Sequence, residues 1–180
     1  MHFFRFLLCS LLTMLLAEYS QCIAIPCKDN CCSFVEGFPL RLKNLRSSYD
    51  EIRDYYETND ELEVALINKT VLENFKSPYG CHVFDEVLHF YLGTVLPTAV
   101  TEETKRFQTS IDNIGNIFQA LKKDMIKCRR YFKCQKPFEI ASIKKSYNDM
   151  KEKGLYKAMG ELDLLFNYIE EYLASKRQKQ

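Results

Sequence analysis

Ile111, Ile114, Phe118, Leu121, Met125, Cys128 and Phe132 follow one another in six successive steps of three or four. A strand keeps apolar side chains on one face only with steps of two, so this stretch can bury its stripe only as an α-helix. The same spacing recurs along most of the chain. Leu42, Leu45, Tyr49, Ile52 and Tyr56 form one stripe; Cys81, Phe84, Val87/Leu88, Tyr91/Leu92 and Val95 form another. Ile140, Ile143, Tyr147 and Met150 make a further stripe, and Leu155, Met159, Leu162, Leu165/Phe166, Ile169 and Leu173 close the series. Leu62, Leu66 and Val71 are a shorter and less regular one. Only six Gly, five Pro and no Trp in 180 residues argue against a turn-rich β-sandwich. The predicted class is all-α, a bundle of helices over roughly 40–57, 62–72, 80–97, 110–132, 138–153 and 155–175. Pro39 suits a first turn, Ser110 an N-cap and Gly154 a C′ position after a basic last turn. Ser77–Gly80 and Gln135–Pro137 read as breaks, Thr98–Thr109 as a loop.

At roughly 150 residues per domain, 180 residues make one domain. His2 and Arg5 precede an apolar run, Phe6–Ala17, which is too short for a bilayer span of about 20 residues but fits the core of a secretory signal. Ser20 and Cys22 offer small residues before a cut after Cys22, with Ala24 as a second choice. Residues 1–22 are therefore expected to be a signal peptide and 23–180 the secreted domain, with no membrane insertion. Cleavage removes Cys9 and Cys22 from the eight cysteines and leaves Cys27, Cys31, Cys32, Cys81, Cys128 and Cys134. An even set in an oxidising compartment predicts disulfides, but six cysteines allow 15 pairings on spacing alone.

Catalytic and metal chemistry find no footing. The sequence holds no G-x-S-x-G, H-E-x-x-H or P-loop motif. Cys27-x3-Cys31-Cys32 and Cys128-x5-Cys134 lack the paired C-x2-C spacing of a zinc site. His82 and His89 stand seven apart without a nucleophile at useful spacing. The expectation is no enzyme, no metal and no cofactor. Lys+Arg number 25 against 24 Asp+Glu, so a net charge of +1 gives no electrostatic case for nucleic acid. Asn68-Lys69-Thr70 is the one N-x-[ST] glycosylation acceptor.

Several blocks in order carry a resemblance: Leu42–Arg46, Gly80-Cys81, Phe90–Leu92 with Leu96-Pro97, Cys128-x5-Cys134, and above all Glu152–Glu161. Together they resemble the interleukin-10 family of class II helical cytokines from about Cys31 to Leu173. The resemblance implies a six-helix bundle, A to F, in an intertwined homodimer where helices E and F of each chain complete the other's bundle. The hinge would be Lys133–Phe138, short enough for strain to favour swapping. It also implies pairing of the first family cysteine with Cys128, and of Cys81 with Cys134. Counting back from Pro39 and Leu42 without a gap selects Cys31 as that first cysteine; aligning the family Gly on Gly37 with one gap selects Cys32. We take Cys31–Cys128, with Cys27–Cys32 as a bridge beyond the basic family pattern.

The function implied is that of a secreted, mainly anti-inflammatory cytokine. Its partners would be the interleukin-10 receptor chains, a high-affinity chain and a shared second chain, signalling through Janus kinases and STAT factors. Family receptor contacts carry over to Lys43, Arg46, Arg53, Glu57 and Glu63, and on helix F to Gly160, Asp163 and Glu170. Arg46, Arg53 and Glu57 lie at i, i+7 and i+11; Gly160, Asp163, Asn167 and Glu170 follow one helix face. Gly160 lacks the hydroxyl of the Ser often found there, and Lys43 lacks the fork of an Arg. From a different class, a saposin-like lipid-binding bundle is also secreted, helical and six-cysteine. Its cysteines would pair near both termini, however, and 46 residues follow Cys134 here without one.

Overall fold

The computed structural model of the chain describes residue 27 and residues 29–134 and 141–177. The expected signal peptide, residues 1–22, and most of the expected hinge lie outside the described residues. Among those described there are helices and turns but no strand. In chain order the helices are α1 (Asn30–Asp50), α2 (Arg53–Thr58), α3 (Lys69–Lys76), α4 (Gly80–Phe90), α5 (Leu96–Ala99), α6 (Gln108–Lys127), α7 (Ala141–Asp149), α8 (Lys153–Gly160) and α9 (Leu162–Ala174).

The apolar stripes become the core. Every residue of the Ile111–Phe132 stripe is buried, as are Leu42, Leu45, Tyr49, Ile52 and Tyr56. Helix α1 packs on α6 and α9, α4 on α6 and α3, and α2 on α8. Phe166 of α9 lies at the centre, edge-on to Tyr49 at 6.0 Å and to Phe118 at 6.1 Å between ring centroids. Such pairs add about 0.5–1.5 kcal/mol each beyond burial. Helix α9 is thus part of the bundle's core.

Element ends differ from the sequence expectation for local reasons. Helix α1 starts at Asn30, well before Pro39, because the Asp29 carboxylate caps it by accepting from the Cys31 and Cys32 N–H groups, both at 2.8 Å. Pro39 is then an interior helical residue. The expected helix at 62–72 is a non-helical segment followed by α3, whose N-cap is Asn68. Ser110 is not an N-cap: α6 begins at Gln108, and the Ser110 hydroxyl donates to Glu51.

The helix ahead of Pro97 does not stop there. It widens into a π-turn over Tyr91–Val95 and resumes as α5, an opening that suits a ring without an N–H at its second position. The last predicted helix is split at Glu161. Gly154 is no C′ residue either. It is buried within α8, and the left-handed turn residue is Lys151, at φ 52°.

Three disulfides tie the ends. Cys31–Cys128 joins α1 to the end of α6, Cys81–Cys134 joins α4 to the turn beyond α6, and Cys27–Cys32 closes a short loop over the start of α1.

Candidate functional site

Tyr49 organises the most chemically structured face. Its ring is buried against Phe166, and its hydroxyl, also buried, donates to the Gly160 carbonyl at 2.8 Å and meets Glu57 at 3.3 Å. Burial, with the Glu57 carboxylate second, pushes the phenol far above its ordinary range, so it remains a donor. This one side chain therefore ties α1 to the end of α8 and to α2.

Arg46 lies one turn earlier on α1. Its guanidinium donates to Asn167 at 2.7 Å and to Glu170 at 3.1 Å, and stands 3.6 Å from Asp163. All three partners are on α9. The ion-pairing groups are each close to half-exposed, so the pairs contribute at most about 1 kcal/mol to folding. Arg53 opens α2, pairs with Asp50 at 2.7 Å and Glu57 at 3.8 Å, and lies over the Tyr49 ring at 5.0 Å. Lys43 is exposed and lines a shallow groove with Pro39, Leu42, Ser47, Asp50 and Glu170.

Seven of the nominated residues thus form one continuous strip: Lys43, Arg46, Arg53 and Glu57 from α1 and α2, Gly160, Asp163 and Glu170 from α8 and α9. A Cβ on Gly160 would lie 3.6 Å from the Asp60 carboxylate, ordinary contact, so the position has room for a larger side chain. Glu63 stands apart, exposed in the 59–68 segment between α2 and α3.

A neighbouring cluster was not singled out from the sequence. Lys157 is almost fully buried, donates to Asp60 at 2.7 Å, and lies 3.8 Å from Glu161. Glu161 accepts from the backbone N–H of Leu66 at 3.1 Å and of Ile67 at 2.7 Å. Burial raises its carboxyl above the usual range despite those two bonds and the Lys157 ammonium. Lys157 and Glu161 are an i, i+4 pair inside the Glu152–Glu161 block. That spacing was readable, but an exposed pair reads the same way, and nothing in the sequence points to Asp60.

The other candidates are placed as follows. Asn68 is exposed, and its Oδ1 accepts from the Val71 N–H at 3.2 Å. His82 is half-buried; His89 is exposed, with Nδ1 3.1 Å from Lys122 Nζ. Among the described residues, no group of three or more His, Cys, Asp or Glu is arranged to hold a metal, and no helix is long and apolar enough to cross a membrane.

The family model described as Interleukin 10 matches residues 6–175. Interleukin-10 of Gallus gallus is 40% identical over 176 residues, covering 95% of this chain and 98% of that protein. A viral interleukin-10 homologue of Equine herpesvirus 2 is 30% identical over 149 residues, covering 82% and 83%. The crystal structure of human interleukin-19 is similar in fold, with a TM-score of 0.61 at 20% identity, covering 73% of this chain and 88% of that one.

Proposed function

Because the chain belongs to the interleukin-10 family, we propose that it is a secreted cytokine which binds a two-chain class II receptor and signals through Janus kinases and STAT factors, mainly to suppress inflammation. The high-affinity receptor chain would meet the strip running from Lys43 to Glu57 and from Gly160 to Glu170, with Glu63 at its edge. A shared second chain would complete the complex. The observation that carries this is the convergence at Arg46. A half-exposed guanidinium from α1 is held against Asn167, Asp163 and Glu170 of α9, so charged groups distant in sequence present one surface. A rigid, charge-patterned patch over a packed core suits recognition of a complementary protein surface.

The chain would act as an intertwined homodimer, residues 141–177 of each copy completing the other's bundle. Those residues supply Phe166 to the core, so a swap would exchange the same contacts between chains rather than create new ones. Family membership leaves the saposin-like alternative without an observation in its favour.

Affinity for the high-affinity receptor chain tests the strip. Arg46→Ala and Asp163→Ala should each weaken binding by about 1–3 kcal/mol if they are hot spots. A folded double variant that binds like the parent would remove the strip from consideration.

A further inference from the structure

The 59–68 segment has no helix to satisfy its backbone, and two of its amide donors are met from across the fold. Glu161, the one residue between α8 and α9, gives one carboxylate oxygen to Leu66 N–H and the other to Ile67 N–H. Leu66 and Ile67 are themselves buried, so these donors have little access to water. A few residues earlier, Asp60 is gripped by Lys157 at 2.7 Å and accepts from the Leu62 N–H at 3.2 Å. Farther along, Lys153 pairs with Glu61. The segment that carries Glu63 is therefore fastened at both ends to α8 and its junction with α9, beside Gly160.

The charges do not balance. One ammonium, Lys157, faces two carboxylates, Asp60 and Glu161, and the other titratable groups near Glu161 are the Tyr91 and Tyr168 phenols. The surplus negative charge is Glu161, held in a partly buried place where its two amide bonds and Lys157 compensate it. A Gln there would be uncharged and nearly the same shape, but its amide nitrogen cannot accept a hydrogen bond. Only the ionised carboxylate serves both donors fully. We propose that Glu161 is a positioning residue for receptor binding, its carboxylate fixing the course of the 59–68 segment, and with it Glu63, against the end of α8. The inference rests on the receptor-binding strip proposed above.

The test is Glu161→Gln in the full mature protein, read two ways: receptor affinity, and amide exchange of Leu66 and Ile67. Loss of one acceptor should weaken binding to the high-affinity receptor chain by about tenfold. The Ile67 or Leu66 amide should exchange markedly faster, while amides in α1 and α6 keep their protection. Arg46→Ala serves as the reference. If it binds normally, the receptor strip itself is wrong; if it loses affinity while Glu161→Gln binds like the parent, the strip stands and the positioning role falls. Unchanged amide exchange in a variant that has lost affinity also overturns the role. Should Glu161→Gln fail to fold, Glu161→Asp replaces it, because its shorter arm cannot reach both amides, and the same two readouts apply. Parent-like affinity together with parent-like Leu66 and Ile67 exchange in that variant refutes the inference.

Discussion

At Asn68 a single side chain caps a helix and also stands in an N-x-[ST] acceptor triplet. Its Oδ1 caps α3 through Val71 N–H, and Nδ2 is the atom a glycan would take. Asn68→Asp should keep the cap and abolish glycosylation, leaving the unfolding free energy nearly unchanged once the glycan is removed from the parent. Asn68→Ala should lose both, costing about 1 kcal/mol in denaturant unfolding. A glycosidase-sensitive mass present in the parent and absent from both variants would establish the modification. Gly154 is constrained by proximity instead: a Cβ there would sit 2.7 Å from the Tyr147 carbonyl oxygen, which is backbone and cannot swing away. Gly154→Ala should destabilise by about 1–3 kcal/mol. The glycine was visible in the sequence as a break signal, but its reason was not, because Tyr147 comes near only after α7 and α8 pack together.

Among the elements, the crosslinks differ in what they restrain. Cys31–Cys128 spans 97 residues and Cys27–Cys32 only five. In the chain-entropy model the first stabilises by about 4–5 kcal/mol and the second by about 2 kcal/mol at most. Replacing Cys31 and Cys128 together should lower the unfolding midpoint far more than replacing Cys27 and Cys32. Peptide mapping of the non-reduced protein checks the connectivity, and a Cys32–Cys128 peptide would contradict it.

The junction at Glu161 adds a pH dependence. Its carboxyl is raised by burial, so in a window above the ordinary carboxylate range the folded chain holds a proton that the unfolded chain lacks. This group's contribution to stability therefore improves as pH falls through that window and worsens as pH rises. Thermal unfolding of the parent and of Glu161→Gln across mildly acidic pH should show the parent gaining on the variant as the pH drops. The helices that frame these features were legible because their stripes repeat at 3 and 4. Their ends were not, since Asp29, Asn68 and Glu161 act through bonds to specific amides, and any of them could equally have been a solvated surface residue.

For the whole molecule, the decisive quantity is mass. Light scattering of the non-reduced protein at several dilutions should give twice the mature chain's mass if residues 141–177 are exchanged between copies. A persistent monomer would instead leave those residues on their own bundle. In a swapped dimer the Glu161 bonds to Leu66 and Ile67 would run between chains, so segment positioning and dimer formation would be coupled.

What the chain's residue order determined by itself is the all-helical class and the identity of the buried stripes. Periodic apolar spacing needs no partner to be recognised, because it is local geometry. The ordered blocks from Leu42–Arg46 to Glu152–Glu161 carried the family resemblance in the same way. Tertiary structure alone decided that Arg46 meets Asn167 and Glu170, more than a hundred residues away, and that Tyr49 links α1 to Gly160. It alone decided that Lys157 is buried, and Glu161 partly buried, beside Asp60 rather than solvated on a helix face. Those pairings depend on which helix faces come together, and the free energy that selects them is spread over the whole core, where no single stretch of sequence displays it.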